Sequence, residues 1–127
     1  MLRGSVRPAA CAEAGAAYGP GMSQIVAIAT LTPLPGKTDE LVTAMKDLIA
    51  QVHANEEGCL LYAMHRHPDG ERVVMVEKYS GPEAVRAHRA SAHFTAAGAV
   101  LGALLAAPPE VLGLEPVPAG DAAKGAV

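Results

Sequence analysis

The chain has 127 residues, enough for one domain and too few for two of ordinary size, and half of them are hydrophobic. Aromatic residues make up only 3% and Trp is absent, so a core has to be built from Ala, Val, Leu, Ile and Met. A net charge of −3, with ten Lys and Arg scattered along the chain, excludes the basic face that a nucleic-acid partner requires.

Residues 1–22 show neither helical nor strand period, and Pro8, Glu13 and Gly15 interrupt any apolar run that could serve as a signal sequence. They are expected to be a disordered extension ahead of one ordered domain, residues 23–118. No stretch approaches the roughly 18 continuous apolar residues of a membrane span. Cys11 and Cys59 make no disulfide framework, so a reducing, cytoplasmic location is expected.

"SQIVAIATLTP" (23–33) is an apolar run rich in β-branched residues that Pro33 stops, which predicts a strand. After the turn "LPGKTDE", with Thr38 and Asp39 as expected caps, Leu41, Met45, Leu48, Ile49 and Val52 recur at helical spacing until Gly58. "CLLYAMHRH" and "RVVMVEKYS" flank the turn "PDGE" and predict a hairpin. Pro82 opens a short helix. A further helix is expected from about residue 92, with Phe94, Ala97, Gly98, Leu101, Leu104 and Leu105 on one face. "PPEVLGLEPVP" ends it and supplies a last strand, and residues 119–127 have the composition of a flexible tail.

The order β-α-β-β-α-β, with its second helical segment split, is the α+β, ferredoxin-like arrangement around an antiparallel sheet. A sheet with one solvated face alternates apolar and polar residues. Here Ile25, Ala27, Ala29 and Leu31 are apolar on one face, and Val26 and Ile28 on the other; Val73 and Met75 are likewise backed by Val74 and Val76. Helices can cover only one face, so a second copy of the chain is expected on the other.

Four stretches, "LPGKTDEL", "EEGCLLY", "VEKYSGPEAVRAHRASAHF" and "PPEVLGLEPV", together resemble the antibiotic biosynthesis monooxygenase family, of the dimeric α+β barrel superfamily. The resemblance covers about residues 24–118 and implies a homodimer. It also implies a small-molecule site between sheet and helices in each subunit, often without metal, flavin or haem. The chain itself has no G-x-G-x-x-G, no P-loop and no C-x-x-C, and little aromatic surface on which a flavin could stack, so no cofactor is expected. His65 and His67 share a face near Asp69, but beside a turn they read as solvated polar residues, and no metal is expected.

On the third strand, alternation puts Glu77 and Tyr79 on the same face as Val73 and Met75, where a carboxylate needs a partner or a shifted pKa. On the short helix, His88 shares the inward stripe with Ala84 and Val85, at the position the resemblance implies is ligand-facing, while Arg89 faces away. Ser91 is expected to cap the next helix. His88, Tyr79 and Glu77 are the expected catalytic residues, and Tyr62, Met75, Val85, His93 and Phe94 the expected substrate-binding ones. The family's polyketide-oxidising members carry an Asn–Trp–Tyr set where this chain has Met75, Tyr79 and Val85. Its haem-degrading members share the histidine at His88 but want Asn and Trp where Ala29 and Tyr79 stand.

The E-x-Y form followed by two histidines is similar to proteins called quinol monooxygenases and to an isomerase of phosphorylated autoinducer-2. The expected function is cofactor-independent oxidation of a small quinol or phenol by O₂. The alternatives are isomerisation of a small phosphorylated dicarbonyl, or ligand binding by a non-catalytic dimer.

Overall fold

The computed structural model describes residues 24–127; the extension read over residues 1–22, and Cys11 within it, lie outside the described residues. Strand β1 (Ile25–Leu31) is followed by helix α1 (Thr38–Asn55), the hairpin of β2 (Cys59–Arg66) and β3 (Val73–Tyr79), helices α2 (Pro82–Ala90) and α3 (Ala92–Gly102), and strand β4 (Glu110–Leu114). The four strands form one antiparallel sheet in the order β2-β3-β1-β4. The α+β, ferredoxin-like arrangement expected from the sequence is the fold observed.

The residues that carry the strand period do what alternation requires. Ala27 stands opposite Glu77, Ala29 opposite Met75 and Leu31 opposite Val73, while Tyr62 of β2 pairs with Glu77 from the other side. All of these side chains are buried. α1 lies on this face and buries Leu41, Val42, Met45, Leu48 and Val52, the spacing of one helical stripe. Each such side chain contributes roughly 1.5–3 kcal/mol when fully buried, so the stripe outweighs helix propensity in holding α1 in place. Two apolar clusters result. The larger lies beneath α1 and holds Met75 and Tyr62; the smaller joins Ile25, Tyr79 and Val85 under α2.

The opposite face of the sheet is apolar too. Val26 is buried and Ile28, Leu61, Val74 and Val76 are half-buried, while Leu112 and Leu114 of β4 are 57% and 39% exposed. Among the described residues no helix packs there; Lys78, on the same face, donates from Nζ to the Val127 carbonyl.

Two local expectations are corrected. Thr38 and Asp39 lie inside α1 rather than capping it; the cap position is Lys37, which makes no side-chain bond. The Thr38 hydroxyl donates instead to the Glu71 carbonyl at 3.1 Å, tying α1 to the hairpin turn, while Asp39 and Glu40 sit in the first turn where the helix dipole favours them. α3 stops at Gly102, short of Leu104 and Leu105. These leucines join the loop after β1: Leu34 donates its N–H to the Leu104 carbonyl at 2.8 Å, and Leu105 bridges to Pro33. The hairpin turn is set by Asp69, whose carboxylate accepts from the N–H groups of Glu71 and Arg72 and from the Arg72 side chain. Those bonds hold it well below the usual carboxylate range. Among the described residues, no helix is long and apolar enough to cross a membrane.

Candidate active site

The two helices after β3 meet at Ser91, and the joint has a clear local cause. Ser91 takes extended backbone angles and caps α3, its Oγ accepting from the Phe94 N–H at 3.2 Å and donating to the His88 carbonyl at 2.7 Å. The cap expected at this residue is therefore present. By breaking the helix there, it lets α2 and α3 present His88, His93 and Phe94 to one spot.

His88 occupies the centre of that spot and is only 4% exposed. Its ring lies 4.8 Å from that of Phe94 and 5.2 Å from that of Tyr62, centroid to centroid. The Tyr79 ring follows at 5.5 Å, so three aromatic rings surround the imidazole. Burial lowers the imidazole pKa below its ordinary value, against the opposing pull of Glu56, so the neutral ring is favoured.

Glu56, in the loop between α1 and β2, was not anticipated. The Nδ1–H of His88 donates to its two carboxylate oxygens at 2.9 and 3.0 Å, and Nε2 of His93 donates to Oε2 at 2.5 Å. The carboxylate is 9% exposed, the His88 side chain 6% and the His93 side chain 15%. Nothing in the run Asn55-Glu56-Glu57-Gly58 distinguishes the inward acid from its exposed neighbour Glu57. The available signal was indirect: two histidines on apolar helix faces, with no acid at helical spacing inside the turn, require a partner from elsewhere in the chain.

The second polar pair lies one strand position away. The Tyr79 hydroxyl donates to Glu77 Oε1 at 2.6 Å, and both residues are buried. Burial pushes the Glu77 carboxyl up to about 7, although the Tyr79 bond and the charge of Arg89 pull the other way. The Tyr79 phenol is pushed far above its ordinary range by burial and by Glu77. Arg89 was expected to face away; it is half-buried, and its charge bears on both Glu77 and His88.

The remaining expected pocket residues separate into two groups. Tyr62, His93 and Phe94 surround or hold His88, and Val85 packs against Tyr79. Met75 lies in the main core beneath α1. Cys59 is half-buried, and burial with the nearby Glu56 charge pushes its thiol up to about 12, which leaves it protonated and inert. It lines, with Glu56, Ala84, Ala87, Ser91 and His93, a cleft of about 200 Å³ beside the carboxylate.

His65 and His67 do not form the pair that strand spacing suggested. β2 ends at Arg66, and His67 lies in the turn, where its Nδ1 accepts from the Asp69 N–H at 3.0 Å. Among the described residues, no group of three or more His, Cys, Asp or Glu is arranged to hold a metal ion.

On this ferredoxin-like sheet a buried imidazole is thus ringed by aromatic side chains and clasped by one carboxylate. The profile of the antibiotic biosynthesis monooxygenase family matches residues 24–100. Rv0793 of Mycobacterium tuberculosis, provisionally named a monooxygenase, is 32% identical over 95 residues, covering 75% of this chain and 93% of that protein. Its solved structure superposes with a TM-score of 0.71 over 78% of this chain and all of that one, at 29% identity. A Caulobacter crescentus CB15 structure, provisionally described as an antibiotic biosynthesis monooxygenase, gives 0.72 at 34% identity, covering 76% of this chain and 92% of that one. The chain belongs to the antibiotic biosynthesis monooxygenase family, among proteins of general monooxygenase type.

Proposed function

We propose that the protein is a cofactor-independent monooxygenase that oxidises a small quinol or phenolic compound with O₂, working as a homodimer. The observation that carries this reading is His88. Its ring hydrogen bonds, among the described residues, run through Nδ1 alone, so the neutral ring holds its proton there and leaves Nε2 bare among Tyr62, Tyr79 and Phe94. A buried base ringed by aromatic side chains suits a flat substrate whose only acidic proton is a ring hydroxyl.

The chemistry balances without a further redox partner. His88 Nε2 takes the hydroxyl proton, and the electron-rich anion gives one electron to O₂. Superoxide and the substrate radical then join as a ring peroxide, which takes the proton back from His88 and, with the hydrogen on the same ring carbon, loses water to give a quinone. One oxygen atom stays on the ring and the other leaves as water. Desolvation by the surrounding rings keeps the anion reactive and the intermediate from hydrolysis.

Oxygen uptake with a panel of quinols and phenols, corrected for spontaneous oxidation, tests the reading. Uptake that falls roughly 100-fold in His88→Ala, with the circular-dichroism spectrum retained, is the expected result. No uptake above background with any member of the panel would refute it. One observation favours a second reading: the Glu77 carboxyl, at about 7, is poised to exchange protons near neutrality. In an isomerase that shifts a proton beside a carbonyl, deuterium would enter a dicarbonyl substrate without oxygen being consumed.

A further inference from the structure

We propose that Glu56 is the positioning residue of this site: its carboxylate fixes His88 in the tautomer that exposes Nε2 and supplies the counter-charge when that nitrogen takes a proton. The inference rests on the reading of His88 as the base.

The placement is built into the backbone. Glu56 is the residue at which α1 ends, and its N–H donates to the Val52 carbonyl at 3.0 Å, so the last turn of the helix fixes its position. Gly58 then lets the loop approach α2 closely: a Cβ added there would stand 2.6 Å from the Ala84 Cβ. α2 carries His88 one helical turn beyond Ala84, which brings Nδ1 within 2.9 Å of the carboxylate.

The choice of partners distinguishes this carboxylate from an ordinary tie between elements. A link that serves only to join α1 to α2 is best made by a permanently charged guanidinium or ammonium. Glu56 instead accepts from two imidazoles, one of them buried among aromatic rings. His93 holds Oε2, so the carboxylate cannot turn away from His88.

In the proton-transfer step, the substrate O–H bond breaks and its electron pair stays on oxygen. A bond forms between that proton and Nε2, and the Nδ1 proton remains where it is. The ring becomes an imidazolium in a desolvated space, and the adjacent anion stabilises it, as the carboxylate does in a Ser-His-Asp triad. The other titratable or charged groups facing this ring are His93 on α3, Arg89 on α2, Glu77 and Tyr79 on β3, and Tyr62 on β2. None of them receives the Nδ1 proton.

Two measurements test the assignment. The first is a long-range proton–nitrogen correlation on histidine-labelled resting protein. In the wild type it should show His88 protonated at Nδ1 and bare at Nε2, and in Glu56→Gln the His88 titration midpoint should fall, because an anion that favours the imidazolium is gone. The second is the pH profile of quinol oxidation. Glu56→Gln should lower kcat by about 30- to 100-fold with KM little changed, and the acid limb of kcat/KM should move to lower pH. A carboxylate that only held the loop would lower the melting temperature and leave the acid limb in place. His88 protonated at Nε2 in the wild type, or a midpoint and acid limb unmoved in the variant, overturns the proposal. The resting-protein measurement needs neither turnover nor a folded variant for its tautomer result. Failure of the monooxygenase reading alone would therefore appear as absent oxygen uptake beside an intact Glu56–His88 signature.

Discussion

A carboxylate on the helix-facing side of β3 sits in the most expensive location the sheet offers. Glu77 is buried between Ala27 and Tyr62 in the ladder, and its bonded partner is a neutral hydroxyl, not a cation. Moving its carboxyl from 4.5 to about 7 corresponds to a burden on the order of 3 kcal/mol once the group is ionised. The sign follows from which state holds the proton. Near pH 4 and below, the folded and unfolded chains are both protonated and the group adds no pH dependence. Between about 4.5 and 7 the unfolded chain releases its proton first, so stability falls as pH rises, and above 7 the loss is constant. Glu77→Gln, which keeps a partner for the Tyr79 hydroxyl, should therefore gain stability over the wild type by up to about 3 kcal/mol at pH 8 and by little at pH 4.5. Thermal melts followed by circular dichroism at both pH values check this, and an equal shift at both would contradict it. His88 acts in the opposite sense: its lowered pKa means the unfolded chain takes a proton first as pH drops below the ordinary histidine value, so it withdraws stability on the acid side. At this scale the sequence was readable where a polar residue broke an apolar period, as at Glu77 and His88. It was silent at Glu56, whose partners lie far along the chain and whose neighbour is also Glu.

Among the elements, the close contact between the loop after α1 and the start of α2 decides whether the site assembles. Gly58 makes it possible, because any β-carbon there meets the Ala84 Cβ at 2.6 Å and the Ser80 Oγ at 3.2 Å. The serine hydroxyl can rotate aside, but Ala84 sits on helical backbone, so α2 itself has to move. Gly58→Ala should cost about 1–3 kcal/mol, visible as a lower melting temperature, and should weaken oxygen uptake by drawing His88 from Glu56. Unchanged stability would show that the loop yields instead of the helix. Strands and helices were legible because Val, Ile and Leu recur with periods that only one geometry satisfies, and because Pro82 and Ser91 mark helix starts by chemistry local to themselves. The end of α3 was not. Leu104 and Leu105 continue the helical period, yet the loop after β1 competes for them and wins through a backbone bond and a β-bridge. Tertiary competition of that kind leaves no trace in local spacing.

Among the described residues, helices pack on one face of the sheet and none on the other. On the other face stand the buried Val26, the half-buried Ile28, Leu61, Val74 and Val76, and the exposed Leu112 and Leu114 of β4, so that face carries apolar residues on all four strands. A sheet face with apolar residues on every strand is ordinary in the centre of an obligate interface. A homodimer sealing it would bury roughly 2,000 Å² or more in total. Sedimentation velocity should therefore show a dimer at micromolar concentration, and Val76→Lys, which sets a charge at the middle of that face, should convert it to monomer or aggregate. A stable wild-type monomer at that concentration would remove the dimer from the proposal.

The strand order has a consequence for the newborn chain. β1 lies inside the sheet between β3 and β4, so its neighbours in space are not its neighbours in sequence: Leu31 awaits Val73, and Thr30 awaits Glu110. This strand, apolar on both faces, is thus synthesised before either of its partners. During translation it spends the longest time of any strand with both hydrogen-bonding edges bare, at the stage when chaperone capture or mispairing with another nascent chain competes with folding.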